Sequence, residues 1–507
     1  MLNYQSWEYL VASRNPSRPN LLFILSDDQG AWAMGCAGNE EIRTPNLDRL
    51  AHEGIRFDNF FCASPVCSPA RASILTGSIP SQHGVHDFIS MPHDSQGQPN
   101  PNSPANSIPF LEGNACYPEL LADMGYRTCL SGKWHLGDAR EAQCGFEEWY
   151  PMPFGQCSYR DVPLVKDGDH TCVKNTYATD LFTDNALKFL EEQVEEAAPF
   201  CLNVCYTAPH KPWGREHHPA ELWDDYYDNC PFKSTPGPEE PLASGFQRYS
   251  FLSPSDAAAR KKVNPSELRR QDLAGYFASI EAMDSNIGRL LSWLDSQDLR
   301  SNTLIVFMGD NGMNTGHHGI WGKGNGTWPQ NLFDTSVKVP CIISRPGHVP
   351  QNKVSSALLS QYDWLSTIVD YAGDASLSPR GLPGRSFASI LRGHVSEEHD
   401  RIFVFDEYGP VRMIRSKEWK LIWRYPAGAH ELYDISNDPN ESVNLFDEPG
   451  FANLIVEMRR ELDDWYTAYI DPSLDGSKLP ITGYGQRDHA SEKKAFNHRF
   501  QMKDSKH

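Results

Sequence analysis

Two apolar runs far apart in the chain end alike. LLFIL at 21–25 runs into Ser26-Asp27-Asp28, and TLIVFM at 303–308 runs into Gly309-Asp310-Asn311-Gly312. A run of five or six apolar residues bounded by acids and turn-formers leaves no side for water. Such a strand belongs inside a parallel sheet covered on both faces. The text between the two runs agrees. Residues 44–54, TPNLDRLAHEG, supply a cap, a proline at the first helical position and a closing glycine. The spacing predicts helices over 177–196 and 273–297, and strands within 125–135 and 199–210. Strands alternating with helices give an α/β fold: a large mixed, mostly parallel sheet sandwiched by helices.

Near residue 386 the texture changes. RIFVFDEY, VRMIRSKEWKLIWRY and HELYDIS read as strands joined by short turns, followed by the helix ANLIVEMRRELDDWYTAYI. This predicts a smaller C-terminal α+β subdomain with an antiparallel sheet. The expected division is a catalytic domain over 1–385 and that subdomain over 386–507, with a tail from 472. Residues 91–107 and 215–268 read as long surface loops.

The 66 acidic and 46 basic residues leave a net charge of −20. Nucleic acids and anionic membrane surfaces call for a basic face, so neither is expected as partner. The first twenty residues show no basic start followed by an apolar run, and no stretch reaches the ~20 apolar residues of a membrane span. The twelve cysteines have no regular disulfide or zinc spacing. Cys201 and Cys205, four apart in a strand, read as core fillers. A cytoplasmic protein with reduced thiols is the expectation; a chain trimmed of its signal, periplasmic or secreted, would read the same.

In open parallel sheets ligands bind beyond the carboxyl ends of the strands. Asp27 and Asp28 from one strand, with Asp310 and Asn311 from another, can converge there on a hard cation, Ca²⁺ or Mg²⁺, better than on zinc. As turn residues the same pairs would be ordinary. Basic groups stand in short Gly- or Pro-marked loops: Lys133 and His135 in SGKWHLG, His210 and Lys211 in TAPHKPW, and His317, His318 and Lys323 in GHHGIWGKGNG. Together they can ring one anion with positive charge and proton donors.

Cys67-Ser68-Pro69-Ala70-Arg71, followed by Leu75-Thr76-Gly77, resembles the signature of the type I, formylglycine-dependent sulfatases of the alkaline-phosphatase-like superfamily. The Asp27-Asp28 start, TPNLDRLAHEGIRFDNFF, GKWHLG, APH, GDNG and ELYDISNDPNESVNL follow in that family's order over roughly residues 19–445. The resemblance implies a sulfuric ester hydrolase in which a separate formylglycine-generating enzyme oxidises Cys67 to an aldehyde while the segment is unfolded. One hydroxyl of its hydrate then attacks sulfur and the other expels sulfate. It implies Asp27, Asp28, Asp310, Asn311 and the hydrated residue 67 as ligands of one Ca²⁺, with Mg²⁺ or Mn²⁺ as substitutes. Arg71 would hold the hydrate, and Lys133 and Lys323 the sulfate oxygens. His210 would protonate the leaving alcohol, and His135 would take the proton that releases sulfate.

One departure from the family's pattern follows Lys323: NLFDTSVKVP carries Asp334 and Lys338, where many members have an acidic-glycine turn before R-V-P. Two rivals stand beside the sulfatase reading. One is a phosphonate monoester or phosphodiester hydrolase, which shares the signature. The other is a non-catalytic sulfate-binding protein, which an unmodified Cys67 would make. Asp310-Asn311, where two-metal phosphatases resemble Asp-His, favours the sulfatase. Trp213, Arg215, Trp321 and Trp328 beside the catalytic loops, with His83, His86 and Asp87 after the signature, suggest a small sulfated sugar as substrate. Arg412 and Trp423 are expected to close one side of its pocket. Oligomeric state is not legible in the sequence.

Overall fold

The computed structural model describes residues 18–90, 108–194, 196, 198–248, 264–394, 399–406, 411–425, 428–481, 483, 485–492 and 495–496. Its centre is an eight-stranded sheet. The strands lie in the order Lys353–Ser355, Gly54–Phe57, Cys341–Ser344, Thr303–Gly309, Asn20–Ser26, Phe200–Cys205, Arg127–Lys133 and Glu148–Met152. The pairings are parallel except around Cys341–Ser344, which runs antiparallel to both neighbours. The sheet is therefore mixed and mostly parallel, as the alternation of elements predicts.

The apolar runs are buried on both faces. Leu21, Phe23 and Leu25 pack with Tyr117 and Trp364 on one side, while Leu22 and Ile24 pack with Phe182 and Leu291 on the other. The second face is covered by the helices Pro45–His52, Ala178–Gln193 and Pro265–Ser296; the first by Cys67–Thr76, Tyr117–Asp123 and Trp364–Tyr371. Each large apolar side chain taken from water contributes about 1.5–3 kcal/mol, so this double covering is the main source of stability.

The expected loop over 215–268 is partly helix. Ala220–Asn229 is helical, and the long helix begins at Pro265, eight residues before the apolar periodicity starts. Asn264 caps it by accepting the Ser266 N–H at 2.9 Å, a signal that outranks the polar composition of the first two turns. The expected loop over 91–107 lies outside the described residues.

Strands Ile402–Asp406, Val411–Arg415, Trp419–Arg424 and Glu431–Asp434 form an antiparallel sheet. Helix Ala452–Tyr469 lays Met458 and Leu462 on its Ile414, Leu421 and Leu432. Asp334, the departure noted after Lys323, ties this unit to the larger one. Its carboxylate accepts from Arg415 at 2.9 Å and Lys420 at 3.0 Å, and Lys420 also pairs with Glu441. All four side chains are buried or nearly so. The described residues from 471 to 496 pack back on the chain instead of trailing as a tail: Asp471 N–H donates to Ser81 O, and Phe496 is buried. No helix among the described residues is long and apolar enough to cross a membrane.

Candidate active site

The register of the central strands sets Ser26 opposite Gly309, so Asp27 and Asp310 leave adjacent parallel strands at the same level. Asp28 turns sharply (φ +61°), its N–H donating to Asp310 Oδ1 at 3.1 Å and its carbonyl accepting from Tyr276 Oη at 3.0 Å. Left-handed backbone at a non-glycine residue costs on the order of 1–3 kcal/mol, offset here by those two bonds. Asn311 Nδ2 donates to Asp28 Oδ1 at 2.8 Å.

Cys67 is the first residue of the helix Cys67–Thr76, which is buried along its whole length and ends at Gly77 in the left-handed region that favours glycine. Arg71 therefore lies one turn on along the same face. Its guanidinium reaches Asp310 at 3.0 Å and Asp27 at 4.0 Å with a single nitrogen, and donates to Lys133 O at 3.1 Å. Lys133, the last residue of its strand, pairs with Asp27. Lys323 Nζ lies 2.5 Å from Asp28 Oδ1 and 2.6 Å from Cys67 Sγ. His210 Nε2 faces Asp28 Oδ2 at 3.5 Å, its Nδ1–H donating to Lys211 O at 2.7 Å. Cys67 Sγ is 3.5 Å from Asp27 Oδ1 and 4.0 Å from Asp28 Oδ1. His135 stands one layer behind: Ser68 Oγ, next to Cys67, donates to its carbonyl at 2.9 Å. All the residues singled out as catalytic or metal-binding are thus drawn to one end of the sheet.

The electrostatics follow from burial. Desolvation pushes the Asp27 carboxyl up to about 7, with Lys133 pulling against it. Burial also opposes ionisation of Asp28, but the Lys323 ammonium, then His210, outweigh it and hold it well below the usual range. Burial pushes the Cys67 thiol up to about 12, despite Lys133 and Lys323. Burial and the two lysines hold the His210 imidazole down to about 3, against Asp28.

Three buried carboxylates face three buried cations here. That balance leaves the pocket near neutral. Oxygen atoms of Asp27 and Asp28 lie with Cys67 Sγ and a His210 nitrogen inside a 4.8 Å group. The carboxylates of Asp27 and Asp28 are hard oxygen donors and fit a hard divalent cation. Asp310 is the most engaged of the expected ligands: Oδ1 accepts the Asp28 and Asn311 amides, and Oδ2 accepts Arg71.

Of the paired histidines, His318 stacks on Phe333 at 3.7 Å and His317 packs against Trp32 at 5.0 Å. His83, His86 and Asp87 are buried, the last two bonded through their main chain to Gln486. Arg412 lies over Tyr466 and pairs with Asp475, and Trp423 stacks on His430. Those contacts are within the C-terminal region. Arg215 is paired with Asp224 on the surface. Trp213 and Trp321, half-buried, stay candidates, and Trp32 joins them in the same cluster. Two supports escaped the sequence: Tyr276, and Gln361, whose Nε2 donates to Gly309 O and Asp310 O. No local pattern marks either.

A mostly parallel sheet whose carboxyl edge gathers buried acids, two lysines, and a cysteine and an arginine on one helix face is the arrangement of the alkaline-phosphatase-like hydrolases. The sequence model described as Sulfatase matches residues 19–374, and the one described as N-sulphoglucosamine sulphohydrolase, C-terminal, matches 316–468. The chain belongs to the sulfatase family and is an enzyme of that family. It is 30% identical to an N-acetylglucosamine-6-O-sulfatase of Bacteroides thetaiotaomicron, over 92% of this chain and 90% of the relative. It is 28% identical to an ulvan-active sulfatase of Formosa agariphila, over 88% and 81%. Among solved structures it is similar to a protein in complex with its substrate D-glucosamine-2-N,6-O-disulfate, with TM-score 0.75, 27% identity, and 91% and 99% of the two chains covered.

Proposed function

We propose that the protein hydrolyses the sulfate ester of a small amino sugar, with 6-O-sulfated glucosamine as first candidate. The observation that carries the reading is Lys323 Nζ at 2.6 Å from residue 67 and 2.5 Å from Asp28, inside a pocket of three cations. A sulfate bound at residue 67 meets fixed positive charge without reorganisation. The likeness to the glucosamine-directed relatives supports the sugar.

As a thiol, residue 67 is held protonated by burial and is a poor nucleophile at neutral pH. The Cys67-x-Pro69-x-Arg71 signature and the family match support its conversion to formylglycine by a formylglycine-generating enzyme; the hydrated aldehyde offers one hydroxyl to attack sulfur and a second to expel sulfate. Asp27, Asp28, Asp310 and Asn311, with the modified residue 67, would hold the cation, for which Ca²⁺ is the first choice. When bound it supplies Lewis-acid stabilisation of sulfate charge. Arg71 fixes Asp310 and residue 67 relative to each other. Lys133 and Lys323 neutralise the sulfate oxygens. His210 donates a proton to the leaving oxygen; the negative charge of bound sulfate counters the burial and lysine fields that keep it neutral in the free pocket. His135 takes the proton of the second hydroxyl. Arg412 and Trp423 are not assigned to the pocket wall.

The test is desulfation of N-acetylglucosamine 6-sulfate, glucosamine 6-sulfate, sulfated polymers, an aryl sulfate and a phosphodiester, alongside the mass of the peptide spanning residue 67. Preference for the monosaccharides and a formylglycine mass are expected. Preference for the phosphodiester would favour the phosphonate-hydrolase rival, and preference for the polymer would overturn the small-substrate reading. An unmodified thiol in the native protein would overturn the mechanism.

A further inference from the structure

Gln486 is fully buried, although it stands in a stretch whose composition suggests a loose end. Nearly all its polar capacity is spent on the residues that follow the signature helix. Its Oε1 accepts the His86 N–H at 2.8 Å, and its Nε2 donates to Gly84 O at 2.8 Å and to Asp488 O at 3.0 Å. Its main-chain N–H donates to Phe88 O at 2.9 Å, and its carbonyl accepts the Ser90 N–H at 3.0 Å. Ile89 and Gln486 form a parallel bridge.

In extended chain, successive peptide groups point to opposite sides. Because Phe88 O and Ser90 N–H face Gln486, the amide and carbonyl of Ile89 itself face the other way, toward the active site. There the Ile89 N–H donates to Ser68 Oγ at 3.0 Å, and Ile89 O accepts from His135 Nε2 at 3.1 Å. A carbonyl can only accept, so this bond puts the His135 proton on Nε2 and leaves the lone pair on Nδ1. Nδ1 is buried without a hydrogen-bond partner among the described residues. The ring is also held sterically: a Cβ on Gly155 would lie 2.5 Å from its Cε1.

We infer that Gln486 is a positioning residue for His135: by gripping residues 84–90 from outside, it aims the Ile89 carbonyl that fixes the tautomer and orientation of the imidazole. The inference rests on the role proposed above for His135 as acceptor of the proton in the sulfate-releasing step. It makes the end of the chain part of the catalytic apparatus.

The experiment is rapid-quench kinetics on the full-length protein, counting released alcohol and released sulfate separately. The probe is N-acetylglucosamine 6-sulfate, or 4-nitrophenyl sulfate if the wild-type protein turns over only that. Gln486→Ala and His135→Ala are compared. Gln486→Ala is expected to lower kcat about 10- to 100-fold, as loss of an outer support does, with KM falling in step so that kcat/KM stays within about twofold. Sulfate release should slow while first-turnover alcohol release does not, so a burst of alcohol appears in both variants. A burst in His135→Ala alone overturns the role of Gln486 and leaves that of His135 standing. No burst in either overturns the role of His135, and this inference with it. Equal slowing of both phases in Gln486→Ala marks a general disturbance and also overturns the inference. Should Gln486→Ala melt below the assay temperature, Gln486→Glu, which keeps the acceptor for His86 N–H and loses the donor to Gly84 O, is read by the same criteria with a smaller loss expected.

Discussion

Lys323 Nζ sits 2.6 Å from Cys67 Sγ although 256 residues separate them, and it is buried. Removing its charge should cost transition-state stabilisation more than ground-state binding. We expect Lys323→Met to lower kcat/KM on a sugar sulfate by about 10²–10³-fold, the usual loss for one preorganised charge donor. Steady-state rates check this; a loss below tenfold would remove Lys323 from the sulfate site.

Cys67→Ser should fold but turn over at most once, because a serine sulfate has no second hydroxyl to expel the anion. Intact mass after incubation with substrate should show one added sulfate per chain. Cys67→Ala should bind substrate and do nothing else. Repeated turnover by the serine variant would end the formylglycine account.

The carboxylate cluster predicts metal dependence. Chelation should abolish activity and lower Tm, since a ligand held only by the folded state stabilises it. Calcium at a few multiples of its Kd should restore both, and zinc should not, given the carboxylate oxygens of Asp27, Asp28 and Asp310. An unchanged melt and rate after exhaustive chelation would count against a metal at Asp27 and Asp28.

Asp334 stands between Arg415 and Lys420, both almost without solvent contact. Asp334→Leu takes the carboxylate from Arg415 and leaves Lys420 with Glu441. Losing one member of a buried ion pair typically costs about 3–5 kcal/mol. Denaturant unfolding should show a loss of that order, and simultaneous replacement of Arg415 and Lys420 by apolar residues should recover part of it.

His399 Nε2 lies 2.9 Å from Asp363. Burial alone would lower the imidazole, but the Asp363 charge and hydrogen bond outweigh it and raise it above its ordinary value. A cation favoured by folding contributes stability that is fully present below the unfolded value, about 6.5, and is lost as pH rises through the folded one. The unfolding free energy of the wild type over His399→Gln should thus be larger at pH 5.5 than at pH 8.5, by up to about 1 kcal/mol. A difference that grows with pH would contradict the assignment.

Asp27, Asp28, Asp310 and Asn311 were legible because a buried strand announces itself by composition and its ends are where acids can meet. Cys67 and Arg71 were legible as a spacing of four. Tyr276 and Gln361 were not, since each acts on main-chain atoms brought near only by folding. His86 and Asp87 hold a tie of the same hidden kind: their main-chain N–H groups donate to a glutamine about 400 residues on. The strand Gly54–Phe57 hid behind the glycine that closes the preceding helix. Its pairing with Cys341–Ser344 is one of the two antiparallel pairings in the sheet, and four-residue strands have too few positions to show a period.

The burial of Cys67 depends on strands and loops that the ribosome has not yet made when residue 67 emerges. Its neighbours come from Lys133, from the strand ending at Gly309 and, last, from Lys323. At about 5–20 residues per second, the 256 residues from Cys67 to Lys323 take on the order of 10–50 s to synthesise. Throughout that interval the signature has no finished pocket to enter. The order of the chain acts as a clock: on the formylglycine reading proposed above, the modifying enzyme would have those seconds to reach the thiol before the sheet closes over it.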